Sequence, residues 1–278
     1  MLILSIIIAI ILALIPVIIW GYLFYIKEPE PKRLILKVFL GGMISVIPII
    51  LYKASWQYYP NLNVFLYVDN FKHHFIGIGD IFSIPVSVIF TFMFVGVVEE
   101  YMKHFIVKFT DKNNLKNIDD VMELSIIAAL GFAFVENILY FLLIWQKQGV
   151  QNLIIAFIFR SIFSTFAHIL FSGIYGYFYG IARFASPIYK ENLIKNRSRF
   201  IAVMHKIIHL KSETIFKEEK IVEGLMFSML LHALFNIVLE LDFTILVVPF
   251  LIIGYIYLSY LFSKKEDHKE YGRVVGEQ

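Results

Sequence analysis

The chain has 278 residues, of which 59% are hydrophobic and only 17% charged, with 28 Phe, no Cys and a formal net charge of +3. Such a composition lies outside the range of soluble globular domains and identifies an integral membrane protein. The missing cysteines exclude disulfides, thiol nucleophiles and Cys-ligated zinc, and the small positive charge is a sorting signal and a contact for anionic lipid, with no bearing on nucleic acid.

Apolar stretches long enough to cross about 30 Å of hydrocarbon lie near 2–26, 34–53, 81–109, 121–145, 152–182, 221–241 and 243–262. The expected fold is therefore an all-α bundle of about seven transmembrane helices. The first stretch lacks a basic leader and a small-residue cleavage site and runs past the usual signal length, so it reads as a permanent anchor. Of the 25 Lys and Arg, 20 fall in alternate connections: 27–33, 102–120, 183–220 and the tail. The other connections hold Lys53, Lys72 and Lys147, while Lys37 and Arg160 fall within spans. This bias puts the N-terminus outside and the C-terminus in the cytoplasm, an orientation expected of a multi-pass protein of the cell membrane.

No linker divides the chain, so 1–262 reads as one transmembrane domain, with a core at 81–241 and a cytoplasmic tail at 263–278. The outer segment 55–80 is aromatic-rich and suits the headgroup layer. The inner segment 183–220 contains IAVMHKIIHL and reads as an interfacial amphipathic helix.

Four spans carry polar residues at similar depth. Counted from the cytoplasmic ends at 1.5 Å per residue, Glu99 lies roughly 15 Å deep, Glu136 roughly 22 Å, His168 roughly 21 Å and His232 roughly 17 Å. Helical spacing groups them into stripes: Ser228, His232 and Asn236 on one span; Ser161, Ser164, Thr165, His168 and Ser172 on another, with Gly173, Gly176 and Gly180 permitting close helix approach; Glu136 and Tyr140 beside Asn137 on a third. On the span with the adjacent acids, the i, i+4 spacing pairs Glu99 with Lys103 and Glu100 with His104. Intramembrane carboxylates cost several kcal/mol and mark function by default. A single buried His is more often an interhelical hydrogen-bonding group, and the Glu pair has the bland reading of a helix end meeting the interface. Glu218 and Glu219 sit in KEEK beside the basic segment and are explained by solvation, and Glu123 suits a helix N-terminus.

The known solutions for peptide hydrolysis can be checked in turn. HExxH is absent, and the Gly-x-Ser of a rhomboid-like site is not matched around Ser172-Gly173. Gly77-Ile78-Gly79-Asp80 spells GxGD, but its second aspartate is missing from a separate span, since Asp69 lies in the same loop. A glutamate/histidine site remains. Glu99-Glu100-x-x-Lys103, Phe132-x-x-x-Glu136-Asn137-x-x-Tyr140, His168 in FAHILFSG and His232-x-x-x-Asn236, in that order on four spans, resemble the PrsW family of intramembrane proteases. They also resemble the wider CAAX-processing and bacteriocin-processing group. Lys103 and Glu136 stand where the CAAX branch usually has Arg and His, which turns the resemblance away from prenyl-protein processing.

The resemblance implies proteolysis of membrane-embedded proteins, such as an anti-sigma factor, with Glu99, Glu100, Glu136, His168, His232 and Asn236 as catalytic candidates. It leaves two routes. Without metal, Glu99 is the general base for a water also held by His168, and His232 with Asn236 donates to the oxyanion. With metal, His168, His232 and a carboxylate, Glu136 being the candidate, hold zinc with an open position for water. The residues lean toward the metal-free route, which gives Asn236 a defined task. Other classes are a proton-coupled transporter, against which there is no inverted repeat or Pro/Gly-broken helix pair, and a non-catalytic scaffold of the same fold, against which every expected polar position is occupied.

Overall fold

A computed structural model describes residues 2–25, 32–78, 82–110, 115, 117–184, 188 and 212–264. Among them the helices are α1 (Leu2–Tyr25), α2 (Lys32–Ile44), α3 (Ile47–Ser55), α4 (Val64–Val68), α5 (Val86–Thr110), α6 (Ile118–Phe159), α7 (Thr165–Arg183), α8 (Ser212–Glu240) and α9 (Val247–Lys264). Of the amphipathic segment expected at 183–220, residues 185–187 and 189–211 lie outside the described residues, while Arg183 ends α7 and 212–220 open α8; of the tail expected at 263–278, residues 263–264 close α9 and the rest lie outside the described residues.

Among the described residues, five helical runs are long and apolar enough to cross a membrane: Ile3–Leu23, Lys32–Ser55, Ile118–Arg183, Ser212–Glu240 and Thr244–Lys264. Their outward faces are apolar, as lipid requires: Ile3 is 75% exposed and Ile253 67%. α5, at 25 residues, has the length for a span but carries Glu99, Glu100, Lys103 and Lys108. The second run bends between α2 and α3, where Pro48 sits in the first turn of α3 and supplies no N–H, and where Ser45 Oγ turns back to Gly42 O at 2.6 Å.

The 66-residue run Ile118–Arg183 folds back at Gly149, whose φ of 84° and ψ of −179° belong to glycine alone. Residues at equal or nearly equal distances along the chain from that turn then meet: Phe141 with Phe157, Asn137 with Arg160, and Gly176 with Met122, where a Cβ would lie 2.8 Å from Met122 Cα. The close approach expected of the Gly173/176/180 stripe is thus used against α6 and, at Gly173, against Leu258 of α9. Asn117 starts this hairpin with a reciprocal capping box to Asp120.

α7 is the central element, buried at nearly every position from Thr165 to Ala182, with α6, α8 and α9 packed around it. α5 packs chiefly on α8. The outer segment departs from the purely helical expectation in one place: β1 (Phe75–Ile78) and β2 (Phe82–Pro85) form an antiparallel pair with Phe75 opposite Pro85 and Ile78 opposite Phe82. α5 consequently begins at Val86, later than the apolar run starting at 81, because Phe82–Pro85 is occupied by strand pairing. Part of the aromatic content of this segment is used within the protein, through edge-on contacts of Trp56 with Tyr52 and Phe65 and of Phe65 with Phe94.

Candidate active site

The hairpin α6–α7 brings Glu136 and His168 together, and α5 and α8 close over them with Glu99, Glu100, Lys103 and His232. Gly96 makes the second contact possible: a Cβ there would meet Met229 O at 2.8 Å and His232 Cβ at 3.6 Å, so any side chain would push α5 off α8 one turn before the paired acids. His232 is seated between rings, stacked on Phe171 at 5.3 Å and edge-on to His168 at 5.2 Å.

The polar atoms sort into two similar assemblies. In the first, Glu100 Oε1 accepts from Lys103 Nζ at 2.7 Å and pairs with His232 Nδ1 at 2.8 Å. In the second, Glu136 Oε2 accepts from Arg160 Nη2 at 2.8 Å and pairs with His168 Nε2 at 2.9 Å. Each imidazole therefore has its own carboxylate, and each carboxylate its own fixed cation. Lys103 Nζ joins the two, lying 2.9 Å from His168 Nδ1. An ammonium has only donors, so His168 Nδ1 accepts and its Nε2–H donates to Glu136. Burial of these four charges is tolerated because each carboxylate is paired with a cation and hydrogen-bonded.

Glu99 stands apart. Its Oε2 is buried and has no hydrogen-bond partner among the described residues, and it lies 3.6 Å from His232 Nε2, beyond hydrogen-bond range. One ligand atom each from Glu99, His168 and His232 lie within 4.8 Å of one another. Two ligands of one tetrahedral zinc with bonds of 2.0–2.1 Å sit roughly 3.3 Å apart, so the Glu99–His232 separation suits a shared ion better than a direct bond. Glu99 and His232 fit a metal, since an unpartnered carboxylate oxygen faces an imidazole nitrogen whose ring is already oriented from the other side by Glu100, and His168 would join them by exchanging the Lys103 ammonium at Nδ1 for the ion.

Side-chain exposure shows where the site opens. Glu136, Arg160 and Glu99 keep 18, 14 and 12%, against 2 and 3% for Glu100 and Lys103. The accessible wall is thus made by Glu136, Arg160 and Glu99, with Tyr140 beneath the Arg160 guanidinium at 3.9 Å.

Of the six catalytic candidates, five converge: Glu99, Glu100, Glu136, His168 and His232. Asn236 is half-buried one turn beyond His232, and no hydrogen bond joins it to the cluster among the described residues. Two expected pairs differ. Lys103 bonds Glu100, three residues away, and not Glu99; His104 leaves Glu100 and packs edge-on against Tyr175 and Tyr179, with Nε2 3.5 Å from Tyr175 Oη. The i, i+3 spacing serves as well as i, i+4 on a helix face, and the partner across the interface decides which is used. The carboxylate grouped with the two imidazoles as a possible ligand is Glu99, whereas Glu136, the carboxylate expected in that place, is bonded to Arg160 and His168. Arg160 was not among the expected site residues, although a lone guanidinium in an apolar span is itself a functional signal.

A family comparison matches residues 30–262 to the PrsW family intramembrane metalloprotease. The chain is similar to a protein named Protease PrsW from Geobacillus kaustophilus, 30% identical over 167 residues, which cover 58% of this chain and 61% of that one. It is similar to another of the same name from Oceanobacillus iheyensis, 25% identical over 250 residues, covering 88% of this chain and 89% of that one. No solved structure matches the chain significantly.

Proposed function

The chain belongs to the PrsW family of intramembrane metalloproteases, and from that membership we propose that it hydrolyses peptide bonds of membrane-embedded proteins at the Glu99/His168/His232 cluster. The observation that carries this reading is the buried, unpartnered Oε2 of Glu99 opposite His232 Nε2. Glu99, His168 and His232 would hold zinc, a set of two imidazoles and one carboxylate that leaves a position for water or substrate. When bound, the ion supplies Lewis acidity and lowers the pKa of a bound water toward neutrality. The bundle carries this site across the membrane in seven passes, with α5 one of them and the N-terminus outside.

The remaining residues have tasks that follow from their contacts. Glu100 takes the His232 Nδ1–H and leaves the Nε2 lone pair directed toward Glu99, and Lys103 balances the Glu100 charge. Glu136 uses Oε2 for both Arg160 and His168. Its Oε1, which neither bond uses, is the group suited to take a proton from the attacking water and pass it to the leaving amine, both steps within one carboxylate's reach. Asn236, with its amide uncommitted to the cluster, is available to the substrate backbone or the developing oxyanion. Burial of the whole set amplifies each of these interactions relative to water.

A second reading has one observation in its favour. Lys103 donates to the His168 Nδ1 lone pair, so ammonium and metal are rivals for that nitrogen, and a metal-free route with Glu99 as the general base keeps the contact intact. Both readings depend on Glu99. The test is co-reconstitution of the protein in liposomes with a panel of single-span reporter proteins. The parent protein is expected to cut at least one reporter, and Glu99→Gln and His232→Ala to cut none while remaining folded. Parent-like cleavage by Glu99→Gln would overturn the reading.

A further inference from the structure

Arg160 lies outside the predicted catalytic set, yet its surroundings are more elaborate than those of an ordinary buried cation. It opens a π-helical turn, Arg160–Ser164, between α6 and α7. A π turn leaves carbonyls without their usual partners and recurs at functional sites. Here Arg160 O accepts both the Thr165 N–H of the π turn and Thr165 Oγ1, the latter at 2.9 Å, and Trp20 Nε1, from α1, donates to Ser161 O at 2.8 Å. Trp20 also stacks on Phe166 at 4.7 Å. The turn is thus pinned from both sides.

The guanidinium is fixed as firmly. Its Nη2 donates to Glu136 Oε2, its Nε donates to Asn137 Oδ1 at 2.7 Å, Asn137 Nδ2 donates on to Thr165 Oγ1 at 3.2 Å, and the Tyr140 ring lies against its plane. Arg160 starts eight residues before His168, about 12 Å of helical rise, yet both reach the same oxygen of Glu136. A planar fork bonded to adjacent residues of α6 fixes the carboxylate's direction in a way that a lysine point charge cannot.

We propose that Arg160 is a positioning residue: held by the π turn, it aims Glu136 Oε2 at His168 Nε2–H and so fixes the tautomer and the ring plane with which His168 would offer Nδ1 to a metal in exchange for the Lys103 ammonium now bonded there. The inference rests on the metal-holding reading of Glu99, His168 and His232. Outer-shell partners of this kind contribute 10–100-fold to metal affinity. Charge alone predicts the reverse, because removing a cation beside a divalent site strengthens metal binding.

The experiment is zinc affinity in detergent micelles, measured by competition with a chelating fluorophore at one pH, for the parent, Arg160→Lys, Arg160→Gln, Glu136→Gln and the double variant Arg160→Gln/Glu136→Gln. Cooperative unfolding is recorded for each. Both Arg160 variants are expected to bind zinc about 10–100-fold more weakly, and the double variant no more weakly than Glu136→Gln alone, because Arg160 acts through Glu136. Parent-like affinity in Arg160→Lys, tighter binding in Arg160→Gln, or losses that multiply in the double variant would each overturn the assignment. Should Arg160→Gln fail to fold, Arg160→Lys, which keeps the charge and loses the fork, decides the question. A parent protein that binds no zinc overturns the metal reading and this inference with it; zinc held equally by parent and variants overturns the inference alone.

Discussion

Replacing Lys103 by Met tests whether the buried charges are organised as separate carboxylate–imidazole assemblies. The Lys103 and Glu100 side chains are 3% and 2% exposed, with Nζ and Oε1 2.7 Å apart. Met nearly matches the volume of the lysine stem and keeps its packing near Phe132, over which the ammonium sits at 4.4 Å, so the change removes the ammonium and its bonds to Glu100 and His168 with little loss of packing. Glu100 then keeps one donor, His232 Nδ1, for a carboxylate cut off from water. Breaking one partner out of a buried pair costs about 3–5 kcal/mol. Adding Glu100→Gln removes the stranded charge and should recover at least half of that, a coupling of about 2 kcal/mol, well above the roughly 0.5 kcal/mol within which independent sites add. The assay is equilibrium unfolding in mixed SDS and dodecylmaltoside micelles for both single variants and the double. Additive losses within that limit would refute the pairing of Lys103 with Glu100.

Gly149→Ala acts only through the backbone, since nothing lies within 4 Å of a Cβ there; holding a non-glycine residue at φ 84° and ψ −179° costs about 1–3 kcal/mol, read as lost unfolding free energy, and an unchanged value would contradict the tight turn at the hairpin tip. Gly96→Ala places a Cβ 2.8 Å from Met229 O, so α5 and α8 must part by several tenths of an ångström beside His232; with a 1 Å misplacement worth about 100-fold, cleavage should fall about tenfold while the protein still purifies as a folded monodisperse species, and full activity would contradict the close approach. Treatment with a strong chelator is expected to abolish reporter cleavage and zinc to restore it, whereas chelator-resistant turnover at the parent rate would favour Glu99 acting as a base without metal. Trp20→Phe keeps the stack on Phe166 but loses the donor to Ser161 O, a loss of about 1 kcal/mol that should appear as faster amide exchange around residues 160–165; unaltered exchange would contradict the pinned π turn.

Much of the site was legible because the membrane makes polar residues conspicuous. Glu99, Glu100, Glu136, His168 and His232 interrupt apolar spans, and depth counting places them in one layer without any knowledge of packing. What depth cannot supply is rotation and partner choice. Lys103 reaches Glu100 and His168 because α7 lies across from it, a fact absent from the spacing of α5 alone, and His104 is drawn to Tyr175 and Tyr179 by the same neighbour. The grouping of Glu99 in place of Glu136 with the imidazoles follows from Arg160, whose reach depends on a π turn that shifts the helical phase and that no periodicity announces. The pairing of β1 with β2 was hidden for a related reason: Phe82–Pro85 continues the apolar run of α5, and strand and helix are indistinguishable by hydrophobicity over so short a stretch.

X-ray absorption at the zinc edge of the metal-loaded protein addresses the central arrangement most directly. The account predicts a shell of nitrogen and oxygen at about 2.0–2.1 Å, with the multiple-scattering signature of two imidazoles in the parent protein, of one in His232→Ala, and with a lost carboxylate oxygen in Glu99→Gln. An all-oxygen shell, or a spectrum unaltered by both substitutions, would contradict it.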